Sequence, residues 1–69
     1  MLEEAVIDAL KTLKSTTFEE LRKYLREEKK EEFLDLELRR VLVKLIKEGK
    51  VEKIPDPRKN KFLFSVRSY

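Results

Sequence analysis

The side chains in this sequence best suited to chemistry are cations. Arg39, Arg40, Lys44 and Lys47 recur at steps of one, four and three, and Arg58, Lys59 and Lys61 fall within four consecutive positions beside a single carboxylate, Asp56. A guanidinium presents a planar fork of N–H donors that grips a phosphate or a guanine edge at two points, whereas an ammonium acts as a point charge. Five phosphates neutralised by such a set would make affinity fall with salt at a log-log slope of about −4 to −5. Each group also has a plainer reading as solvated charge, with Arg39 and Arg40 paired to acids such as Glu37 or Glu48. Leu36 and Val43 lie on the same helical face as these cations. Apolar groups there suit thymine methyls, and equally a protein-binding or dimer surface.

Other chemistries have few candidates. The chain has no histidine and no cysteine, and its one glycine cannot form a glycine-rich phosphate loop. Ser15, Ser65 and Ser68 have no base beside them, and the acidic pairs Glu19/Glu20, Glu27/Glu28 and Glu31/Glu32 diverge around a helix. We therefore expect no catalytic residues, no metal site, no cofactor and no small-molecule substrate. Charge is divided unevenly along the chain. Residues 1 to 38 hold 7 Lys/Arg against 11 Asp/Glu, a balance of −4, and residues 39 to 69 hold 10 against 3, a balance of +7. Concentration of positive charge in one segment is the mark of a nucleic-acid-facing surface. Gln is absent and Asn occurs once, while Asp, Glu, Lys and Arg make up 45% of the chain. That balance is also found in heat-adapted proteins, where it would be solvated charge.

The elements that must position these cations follow from periodicity. Leu2, Val6, Ala9, Leu10 and Leu13 form one apolar stripe at helical spacing, with Glu3 and Glu4 in the first turn where the helix dipole favours acids. Thr17 followed by Glu20 is a capping box, which starts a second helix at Phe18. Phe18, Leu21 and Leu25 form its stripe, Tyr24 lies at the margin, and Ser15 to Thr17 can pair briefly as a strand. Asp35 is expected to cap a third helix that buries Leu38, Val41, Leu42, Leu45 and Ile46, with Leu34 extending the stripe backwards. Gly49 ends it. Beyond Gly49 the period shortens towards two. Val51 to Pro55 reads as one strand, and Phe62, Phe64 and Val66 as the buried face of another, with a turn at 56 to 60. Phe33, Phe62, Phe64 and Tyr69 are assigned to packing rather than to base stacking. No apolar run reaches membrane-spanning length and the N-terminus is acidic, so a soluble, cytoplasmic protein is expected. A chain of 69 residues is one domain at most, spanning 1 to 69.

Three helices, a glycine-terminated third helix and a hairpin with a basic loop form an α+β order that resembles the winged helix-turn-helix DNA-binding family. "VLVKLIKEGKVEKI" looks like that family's junction from third helix to wing, and "STTFEELRKYL" is similar to its second-helix opening. The resemblance covers essentially the whole chain without identifying a subfamily. It implies a third helix in the major groove and a wing on the backbone or minor groove. Carried over by position, the DNA-binding residues would be Arg39, Arg40, Val43, Lys44 and Lys47 on the helix, and Arg58, Lys59 and Lys61 on the wing. The implied partner is double-stranded DNA, bound specifically or generally by a small transcriptional regulator or chromatin-type accessory of archaeal or thermophilic origin. A homodimer formed through the first helix or last strand would supply contact area that one module lacks. The alternative is a winged-helix protein-interaction module of a replication, transcription or membrane-remodelling assembly, using Leu36 and Val43.

Overall fold

The computed structural model describes residues 1 to 67. In chain order the elements are α1 (Leu2–Leu13), β1 (Ser15–Thr16), α2 (Phe18–Glu27), α3 (Asp35–Lys47), β2 (Val51–Asp56) and β3 (Lys61–Val66). This is an α+β arrangement in which three helices precede a β2–β3 hairpin that also pairs with β1, a winged-helix-like topology.

Each helix buries the centre of the stripe its spacing predicts, while Leu2, Leu13, Phe18, Val41 and Ile46 are half-buried at the margin of the core. Val6, Ala9 and Leu10 of α1, Leu21 and Leu25 of α2, and Leu38, Leu42 and Leu45 of α3 meet Val51 and Phe64 of the hairpin in one core. The capping box forms as expected: Thr17 Oγ1 accepts the Glu20 N–H at 3.2 Å, and Glu20 Oε1 accepts the Thr17 N–H at 3.1 Å. At the far end of α3, Gly49 takes a φ of 76°. The Lys50 N–H then reaches Leu45 O at 2.9 Å and the Gly49 N–H reaches Ile46 O at 3.0 Å, the paired bonds of a left-handed helix stop.

The start of α3 differs from expectation. Leu34, not Asp35, occupies the cap position, and Glu37 Oε1 accepts its N–H at 2.8 Å. Leucine has no side-chain acceptor to return that bond. Asp35 is drawn away because two guanidiniums from α2 compete for its carboxylate. Leu34 does not extend the buried stripe either: it is 69% exposed, because the chain enters the helix from the solvent side.

The sheet has strand order β1-β3-β2 and is antiparallel throughout, with Thr16 opposite Phe64, Lys53 opposite Phe64 and Val51 opposite Val66. Lys50 O accepts the Arg67 N–H at 3.0 Å. Antiparallel alternation then turns the backbone groups of Val51, Lys53 and Pro55 towards the open edge of β2. Proline sits where no partner strand needs its missing N–H, and it blunts the edge against further pairing.

Phe64 is buried as predicted, but Phe62 is 49% exposed. The hairpin runs past the end of the core, so its inward face opens at that level. Tyr69, assigned to packing, lies outside the described residues. No helix among the described residues is long and apolar enough to cross a membrane.

Candidate nucleic-acid interface

The exposed side of α3 carries every residue expected there. Leu36, Arg39, Arg40, Val43, Lys44 and Lys47 line one shallow groove of about 660 Å³, with Glu48 also in its lining. Leu36 and Val43 are 55% and 50% exposed and form its apolar floor. The cations differ in what holds them. Lys44 leans towards α1, where its Nζ lies 3.0 Å from Glu3 Oε2, and that carboxylate raises the ammonium pKa. Arg40 and Lys47 make no ion pair among the described residues. Neither Glu37 nor Glu48 pairs with an arginine: Glu37 serves the Leu34 N–H, and Glu48 lies 3.5 Å from Lys50.

Arg39 leans the other way, towards the hairpin, with its guanidinium carbon 4.3 Å from the centre of the Phe18 ring. It also lines a second groove, of about 400 Å³, whose other walls include Arg22, Lys53, Lys61 and Phe62. Lys53 lies over the Phe62 ring at 4.3 Å. Lys53, Phe62 and Phe18 were not among the residues predicted for the site. Their signal was a lysine at a strand position of inward parity, two residues after buried Val51. A cation tolerated there marks a face that is open to water.

Phe18 and Arg39 belong to a chain of contacts that sets α3 against α2. Arg22 Nη1 lies 2.8 Å from Asp35 Oδ2, Arg26 Nη2 lies 3.0 Å from Asp35 Oδ1, and Arg26 also stacks on Phe33 at 4.6 Å. Partial desolvation works to raise the Asp35 pKa, but the two guanidiniums outweigh it and hold the carboxyl below its usual range. The negative charge at the start of α3 is thereby matched by two positive ones. Glu37 accepts the Leu34 N–H but makes no ion pair among the described residues, so one negative charge remains at the exposed start of α3.

The wing is more compensated than its sequence implies. Lys61 Nζ lies 2.9 Å from Glu19 Oε1 at the start of α2. The hydrogen bond and charge of Lys61 lower the Glu19 pKa, and Glu19 raises that of Lys61 in return. Glu20 is lowered first by the Thr17 N–H it accepts, and the field of Lys59 adds to this. Cations and acids therefore meet at this end of the molecule rather than separating to opposite sides. The turn itself is tightly built: Asp56 Oδ1 accepts the Arg58 N–H at 3.1 Å and Asn60 takes a φ of 55°. Arg58 and Lys59 stay exposed and make no ion pair among the described residues. Comparison of the chain with protein-family models, curated proteins and solved structures gives no match.

Proposed function

We propose that this domain binds double-stranded DNA, with α3 in the major groove and the basic wing against the backbone, as a small transcriptional regulator. One observation carries the reading most of the way. Arg39 lines both the groove on the exposed face of α3 and the groove beneath the wing, which sets the α3 cations beside Lys53 and Lys61 of the hairpin, while Arg58 and Lys59 line neither groove. Arg39 and Arg40 would engage guanine edges or phosphates, Val43 a thymine methyl, and Lys47, Arg58 and Lys59 phosphates. Lys44 and Lys61 join only by exchanging their carboxylates for phosphate. The area of one module is small, so a homodimer on adjacent half-sites fits the reading.

The test is an NMR titration with random-sequence duplex at low and moderate salt. Shifts at residues 39 to 47 and 58 to 61 that fade as salt rises are expected, and the double substitution Arg58→Glu, Lys59→Glu should abolish them while the fold persists. A second reading has a specific observation behind it, the half-exposed Leu36 and Val43 on the floor of the α3 groove. Absence of any shift with duplex would transfer this face to a protein partner.

A further inference from the structure

Among the described residues, no other aromatic side chain is as open as Phe62. A surface built only to hold a phosphate backbone has no use for such a ring. It stands at the mouth of the groove beneath the wing, where Lys53 covers it at 4.3 Å and Arg39 and Arg22 line the walls. The acid in that groove, Glu19, is neutralised by Lys61 at 2.9 Å. The groove of about 400 Å³ falls within the size range of small-ligand sites. An open aromatic face ringed by cations is the combination that receives one base and its phosphates.

We propose that this groove takes an unpaired nucleotide of DNA, at a duplex end or in a single-stranded extension. The base lies on the Phe62 ring in the place of the Lys53 ammonium, and Lys53, once displaced, pairs with the adjoining phosphate together with Arg39. Lys53 is suited to that exchange, because it makes no ion pair among the described residues and is held over the ring by cation–π attraction alone. Stacking tolerates any base, so the preference is for unpaired structure and not for sequence. This assignment rests on the duplex-binding reading for the anchoring role of α3, but its chemistry is separate.

Fluorescence anisotropy of a blunt duplex and of the same duplex with a short oligothymidine extension tests it. The extension should raise affinity by about tenfold or more. Phe62→Leu keeps the apolar volume without the ring and should erase that gain, while Phe62→Tyr should keep it. The measure is the ratio of extended to blunt affinity within each protein, which cancels any change in duplex contact at Phe62. The ring protons of Phe62 should move upfield on titration with the extended DNA and stay in place with the blunt one. If the extension adds nothing, or Phe62→Leu binds it as tightly as the unaltered protein, the nucleotide site is wrong and the duplex reading survives. If oligothymidine alone is bound through Phe62 while blunt duplex is not, the nucleotide site stands and the duplex reading falls. Binding of neither removes both.

Discussion

Replacing Glu3 and Glu19 together by glutamine tests how the carboxylates set the number of cations available to DNA. Five cations on the proposed surface make no ion pair among the described residues: Arg39, Arg40, Lys47, Arg58 and Lys59. Two more, Lys44 and Lys61, are held at 3.0 and 2.9 Å by Glu3 and Glu19. Each phosphate contact contributes about −0.9 to the salt slope, so the unaltered protein should show a slope of about −4.5. Freeing both lysines should steepen it to about −6.3, and removing Arg58 and Lys59 as alanines should flatten it to about −2.7. Between 50 and 200 mM KCl, affinity for random duplex should then fall about 500-fold, 6,000-fold and 40-fold respectively. Fluorescence anisotropy titrations across that range read the slopes directly. Exposed pairs of this kind contribute little to stability, so circular dichroism should show the fold of the double glutamine variant intact. A slope in that variant equal to the starting one would mean that Lys44 and Lys61 do not face the phosphates, and would refute the orientation proposed for the duplex.

The other expectations concern the scaffold. Gly49→Ala should cost about 1 kcal/mol in urea denaturation, because alanine opposes a φ of 76°. Space is not the cause, since a Cβ there would lie 3.6 Å from Arg67 Nη1, an ordinary contact. Leu45→Ala removes a fully buried side chain and should cost about 2–5 kcal/mol. In a core this small, thermal melts followed by circular dichroism should show it largely unfolded at room temperature. Asp35, Glu19 and Glu20 all have folded-state pKa values below their ordinary ones. Their contributions are therefore present above the unfolded values, about 3.9 for Asp and 4.3 for Glu, and are lost as pH falls through the lower folded values. The urea midpoint should drop below about pH 4, and Asp35→Asn should lower it at pH 7 and make the acid decline shallower. An unchanged midpoint at pH 7 in that variant would mean the two arginines do not tie α2 to α3.

Features that depend on near neighbours in the chain were legible without coordinates. The Thr17–Glu20 box and the Gly49 stop involve residues three to five apart, and the stripes of α1, α2 and α3 follow from the helical repeat. The topology followed from these, because three amphipathic helices and a hairpin this short bury their apolar faces together. Even so, Asp35 does not act as the cap its position in the sequence suggests, since its competing partners, Arg22 and Arg26, come from another helix. Phe62 was assigned to packing because strand alternation states which face a side chain takes but not where the core beneath that face ends.

The elements, their order and the concentration of positive charge in the second half are all written in the linear chain. Which of those charges remain available depends on how the elements pack. Glu3 and Lys44 are separated by 41 residues, and Glu19 and Lys61 by 42. Ion pairing falls off over a few ångströms, so such partners exist only once packing has brought α1 beside α3 and the hairpin beside α2. The same packing made Arg39 common to two grooves, a relation between helix and wing that no spacing along the chain expresses.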